Sequence, residues 1–137
     1  MSHVRTQIRL AAAELLAGVA PVAVSRVYPL AEDSLPILLV YLGDELIEGH
    51  TMGAFRRTAD LVVEVRVKGP FMDDEMDTLI AGVERALNRS TLGDVVRPLV
   101  PTGIAITLQA GSVEIGTARV TFRAVYHTEY GNPEAAI

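Results

Sequence analysis

The chain has 137 residues, half of them hydrophobic, no cysteine and a formal net charge of −5. That length suits one domain with a single core, and the acidic balance argues against a protein whose main task is gripping nucleic-acid phosphates. Lack of cysteine excludes a disulfide framework and a thiolate metal site, and only 5% aromatic residues leaves a core of Val, Leu, Ile and Ala.

Residues 3–17 read as a helix. Val4, Ile8, Ala11 or Ala12, and Leu15 recur at helical spacing, with Leu16 widening the stripe. Ser2 is the expected N-cap and Gly18 the expected stop. Arg5, Gln7, Arg9 and Glu14 interrupt the apolar residues, so neither a signal peptide nor a membrane span is expected.

Val24–Leu30 reads as an edge strand, because Pro29 cannot donate to a ladder. The sequence AEDS at 31–34 is a turn. From Pro36 to Leu42 the run PILLVYL is unbroken by polar residues, which suits a strand covered on both faces. Residues 43–58 then form a stretch too long for an ordinary hairpin loop. It interleaves Leu46, Ile47, Met52 and Phe55 with Gly43, Gly49 and Gly53. The flanking strands are expected to continue into it, making a projecting β-arm with a glycine-rich tip.

Ala59–Gly69 is the strongest strand signal. Leu61, Val63, Val65 and Val67 alternate with Asp60, Glu64, Arg66 and Lys68, and only Val62 breaks the polar side. Asp73 to about Arg89 is a second helix. Its stripe is Met72, Met76, Leu79 or Ile80, Val83 and Leu87. Acidic residues crowd its first turns and Arg85 and Arg89 its end, which complements the helix dipole. Close packing against the sheet would account for Gly82 inside it. Arg97–Thr102 is an extended connector. Ile104, Ile106 and Leu108 are expected to point inward from the next strand. Glu114–His127 is the last long strand, with Ala118, Val120, Phe122, Ala124 and Tyr126 on one face. The tail from 128 to 137 is expected to be mobile. The whole predicts one α+β domain over residues 1–137: a mostly antiparallel sheet of about five strands, two helices on one face, and the arm.

No nucleophile elbow, Walker A or zinc-helix motif occurs. Asp44, Glu45, Glu48 and His50 offer oxygen and nitrogen ligands, but their spacing matches no established metal loop. A pocket lined by Tyr28, Tyr41 and Tyr126 is the alternative for a small-molecule-binding domain. No catalytic residue, cofactor or metal site is assigned.

The segments SHVRTQIR, SRVYPLAEDSLPILLVYLGDE, RRTADLVVEVRVKG, MDDEMDTLIAGVERAL, TLGDVV and ARVTFRAVYHTEYG occur in this order. Together they resemble the tail terminator proteins of long-tailed, non-contractile bacteriophages and prophages, the family that includes the minor tail protein U of lambda. The resemblance runs from about Ser2 to Gly131. It implies a non-enzymatic virion protein that forms a homohexameric ring on the head-proximal end of the tail tube. Such a ring stops tube growth and offers the head-joining surface. The implied partners are other copies of the chain, the tail tube protein and a head-completion or connector protein. DNA passes through without specific binding, and no membrane is involved. The implied location is the virion tail, with assembly in the host cytoplasm.

The family supplies no motif residues to carry over, so the interface candidates come from this sequence. Leu46, Ile47, Met52 and Phe55 would pack on a neighbouring subunit or on the tube. Arg56 and Arg57 would make charge contacts at the arm's base. Arg66, Arg119 and Arg123 would form a basic stripe facing Asp33, Asp44 or Glu45 of the next protomer. Another ring-forming morphogenesis protein, either a head-completion or a tube component, is the nearest alternative.

Overall fold

The period-two pattern that dominates the sequence becomes the spine of the sheet. The computed structural model describes residues 2–24, 35–109 and 114–137. Its elements are α1 (Val4–Leu16), β1 (Val22–Ala23), β2 (Ile37–Gly49), β3 (Ala54–Lys68), α2 (Met72–Leu87), β4 (Val100–Gln109), β5 (Ile115–Glu129) and β6 (Asn132–Ala136). The strand order is β1-β2-β3-β5-β4, with β6 also paired to β5. Every pairing is antiparallel except β1 with β2. This is the α+β architecture that the patterning predicts. The expected strand at Val24–Leu30 falls almost wholly outside the described residues, as does the turn at 31–34; β1 lies just ahead of them.

β3 lies between β2 and β5 and pairs with β5 along its whole length. Both helices lie on one face. Val4, Ile8, Ala12 and Leu16 of α1, with Met76, Ile80, Val83 and Leu87 of α2, meet the inward residues of β2, β3 and β5. Each such aliphatic side chain contributes about 1.5–3 kcal/mol on full burial. α2 carries Asp73, Asp74 and Glu75 in its first turn and Arg85 in its last, so its charges oppose the dipole as expected.

Several local expectations are corrected. The N-cap of α1 is His3, whose Nδ1 accepts from the Arg5 N–H at 2.9 Å; Ser2 lies outside the cap. The reason for Gly82 is a loop: a Cβ there would stand 2.9 Å from Cγ1 of Val19. The tail carries a strand that the sequence pattern does not predict. β6 pairs with Thr128 and Glu129, and Gln7 Nε2 donates to the Glu134 carbonyl at 2.7 Å.

The largest correction concerns β4. Ile104, Ile106 and Leu108 pair into β5 but are exposed, at 49%, 56% and 65%. The helices lie mainly over β1, β2, β3, β5 and β6, so among the described residues the apolar side of β4 is largely uncovered, with Leu108 alone reaching the start of α2, where it lines a pocket with Met72.

Candidate interaction surfaces

The arm forms where the sequence places it. β2 runs on to Gly49 and β3 begins at Ala54, with Gly53 at φ 83° in the turn. It is an extension of the sheet more than a free hairpin, because residues 54–59 also pair with residues 124–129 of β5.

A β-bulge between Leu42 and Glu45 sets the chemistry of its base. Leu42 opposes Leu61, yet Glu45 opposes Ala59, so one extra residue on β2 rotates Glu45 to the helix side. Three donors meet it there. Arg5 Nη1 and the Tyr126 hydroxyl reach Oε1 at 2.9 and 2.8 Å, and Arg57 Nη1 reaches Oε2 at 3.0 Å. Arg57 Nε also donates to the Thr128 hydroxyl at 2.9 Å. Burial alone would raise the Glu45 carboxyl. Hydrogen bonds from Tyr126, Arg5 and Arg57, with the charge of Arg5, outweigh it and leave the group below the ordinary carboxylate range. Burial and the bond to Glu45 push Tyr126 well up.

The opposite face repeats the arrangement with other residues. Glu64 accepts from the Tyr41 hydroxyl at 2.5 Å, from Arg66 Nη2 at 3.0 Å and from Arg119 Nε at 3.0 Å. Burial acts to raise Glu64, and the bonds from Tyr41 and Arg119 with the charge of Arg66 again prevail and lower it. Arg66 and Arg119 thus converge on a carboxylate of their own chain. Arg123 stands across from Asp60 and is exposed. Two of the three arginines of the basic face are therefore paired within the chain. Of its suggested acidic partners, Asp44 is exposed, Glu45 is turned inward, and Asp33 lies outside the described residues.

The apolar arm residues are spread over both faces and the tip. Leu46 and Ile47 are 60% and 48% exposed, and Met52 at the turn is fully exposed. Phe55 is half-buried, its ring centroid 4.5 Å from that of Tyr130. Arg56 is exposed, and Arg57 is buried beneath the rings of Phe55 and Tyr126. His127, directly across from Arg56, stacks obliquely on His50 with centroids 4.5 Å apart. Burial, then the charges of Arg97, His50 and Arg56, lower the His127 pKa.

The proposed tyrosine pocket does not form as expected. Tyr41 and Tyr126 bond carboxylates on opposite faces of the sheet, and Tyr28 lies outside the described residues. Among the described residues, no three His, Cys, Asp or Glu side chains are grouped to hold a metal ion. No helix there is long and apolar enough to cross a membrane.

A second apolar surface was missed at the sequence level. Leu10, Ala13 and Ala17 on the outer side of α1, with Pro21, Val22 and Val24, line a shallow groove of about 540 Å³ at the β1 edge. The helical spacing of Leu10, Ala13 and Ala17 was its available signal.

No family model matches the chain, and no curated protein does. Among solved structures, it is similar to a chain from the virion of a native gene transfer agent (GTA) particle. The two are 19% identical, the match covers 92% of each chain, and the TM-score is 0.54. The likeness is one of fold.

Proposed function

We propose that this chain is a structural virion protein of a tailed phage or phage-like particle. The observation that carries this reading is the fold shared, over 92% of both chains, with a protein of a gene transfer agent virion. The finer reading is a tail terminator: a homohexameric ring that caps the head-proximal end of the tail tube, stops its growth and joins the head. It rests on the ordered segments that resemble that family, and on exposed apolar side chains gathered on the arm and at the sheet edges. Its partners are then other copies of the chain, the tube protein and a head-completion protein. DNA traverses the ring without specific binding.

The test is the distribution of tail lengths in electron micrographs of lysates from the parent phage with this gene deleted. Overlong, headless tails that return to uniform length when the protein is added back are the expected result. Tails of normal length that fail to join heads would make the protein a connector. Missing tails would make it a tube or initiator component. The edge strand β4, uncovered among the described residues, suits lateral association in a ring and in a tube alike.

A further inference from the structure

We infer that β4 of one protomer docks into the α1–β1 groove of the next, a lateral contact between copies of this chain that rests on the ring reading above.

Three observations converge on it. First, β4 is ten residues long, carries no charge, and exposes Ile104, Ile106 and Leu108 on one side and Val100 at its start. A long, uncharged, apolar edge strand is what soluble proteins blunt or cover. Only the irregularity between Pro101 and Gly103 interrupts this one. Second, the groove lined by Leu10, Ala13, Ala17, Pro21, Val22 and Val24 is equally apolar, with Glu14 as its one charged residue. Leu10 is 49% exposed.

Third, the two surfaces lie at opposite edges of the same sheet. Among the described residues, β4 ends the strand order at one side, and β1, with α1 above β1 and β2, ends it at the other. A ridge on one edge and a groove on the other cannot satisfy each other within one chain. Between copies they make a head-to-tail contact, which generates a ring when its rotation closes. A second copy is the occupant that supplies both surfaces at once. It also leaves the arm, with Leu46, Ile47 and Met52, free for a partner along the ring axis.

The chain has no cysteine, so disulfide trapping starts without background. The full chain carrying Leu10→Cys together with Ile106→Cys is oxidised over a range of concentrations and run without reductant, beside each single variant. Both positions are exposed, and circular dichroism checks that the variants fold. A ladder of cross-linked species from the double variant, ending at a fixed number of copies, with single variants remaining uncross-linked, is expected. Ile106→Asp alone should weaken self-association roughly tenfold or more. Dimers from Ile106→Cys alone would show β4 meeting β4 and overturn the contact. So would the lack of a ladder at every concentration, or unchanged association of Ile106→Asp. The tail-length assay reports on the function separately. A ladder from a protein that does not restore tail length keeps the contact and rejects the terminator reading; restored length without a ladder does the reverse.

Discussion

At Glu45, two arginines and a tyrosine hydroxyl meet one carboxylate drawn from α1, β3 and β5. Removing that carboxylate strands Arg57, whose side chain is 11% exposed. Breaking a fully buried pair costs about 3–5 kcal/mol; with Arg5 a third exposed, Glu45→Ala should cost about 2 kcal/mol, read from urea unfolding. The same groups set the acid response. Glu45 and Glu64 titrate below their usual 4.5 in the folded chain, so their contribution is present above that pH and is lost as pH falls through the lowered values. His127 acts earlier. Its folded pKa is below 6.5, so the unfolded chain takes the proton first and stability declines as pH falls from 6.5 toward the lowered value. His127→Gln should flatten the fall in melting temperature that begins near pH 6.5 while leaving the steeper loss below pH 4.5. An unchanged slope would remove His127 from the account. None of the Glu45 network was legible in the sequence. Alternation from Leu42 puts residue 45 outward, and the bulge that turns it inward leaves no signal beyond the Gly43-Asp44 pair.

Elements with a strong period and a partner on one side were the readable ones. α1, α2 and β3 appear close to where the apolar spacing puts them, because burial on one face selects that spacing directly. β4 was misread for the complementary reason. Its alternation is real, but whether an alternating strand is covered depends on how far the helices reach, and they lie over the other strands. The tail was misread because NPEAA has little β-propensity; β6 is held by its ladder to Thr128 and Glu129, the Ile137 N–H bond to the His127 carbonyl and Gln7. Deleting residues 132–137 should cost about 2 kcal/mol at roughly 1 kcal/mol per net hydrogen bond, and lower the melting temperature by roughly 5 °C or more. An unchanged melting temperature would mean that β6 contributes nothing. The arm separates into fold and surface parts. Phe55 is tied to Tyr130, so Phe55→Asp damages the arm itself. Met52→Asp, at a fully exposed tip, should change stability by less than about 0.5 kcal/mol and still abolish control of tail length in the add-back assay.

The molecule is polar from end to end, and this bears on why a ring would not become a tube. β3 spans 15 residues, about 50 Å at the usual rise per residue. At one end stand Leu46, Ile47 and Met52 of the arm. At the other, α2 begins with Asp73, Asp74 and Glu75, and Glu114 leads into β5 opposite Lys68. Stacking one ring on another would press the exposed apolar arms, whose exposed Arg56 already stands across from Glu48, against this acidic end, desolvating more carboxylates than the arm can pair. Lateral contacts between the edges involve a single charged side chain, Glu14. Purified protein at rising concentration should therefore reach a plateau in mass by sedimentation, and electron micrographs should show single rings without stacks. Asp73→Asn with Asp74→Asn removes two of the opposing charges and should raise the fraction of stacked particles. If the unaltered protein grows into open tubes, the acidic end is not the barrier, and the chain is a tube subunit in place of a cap.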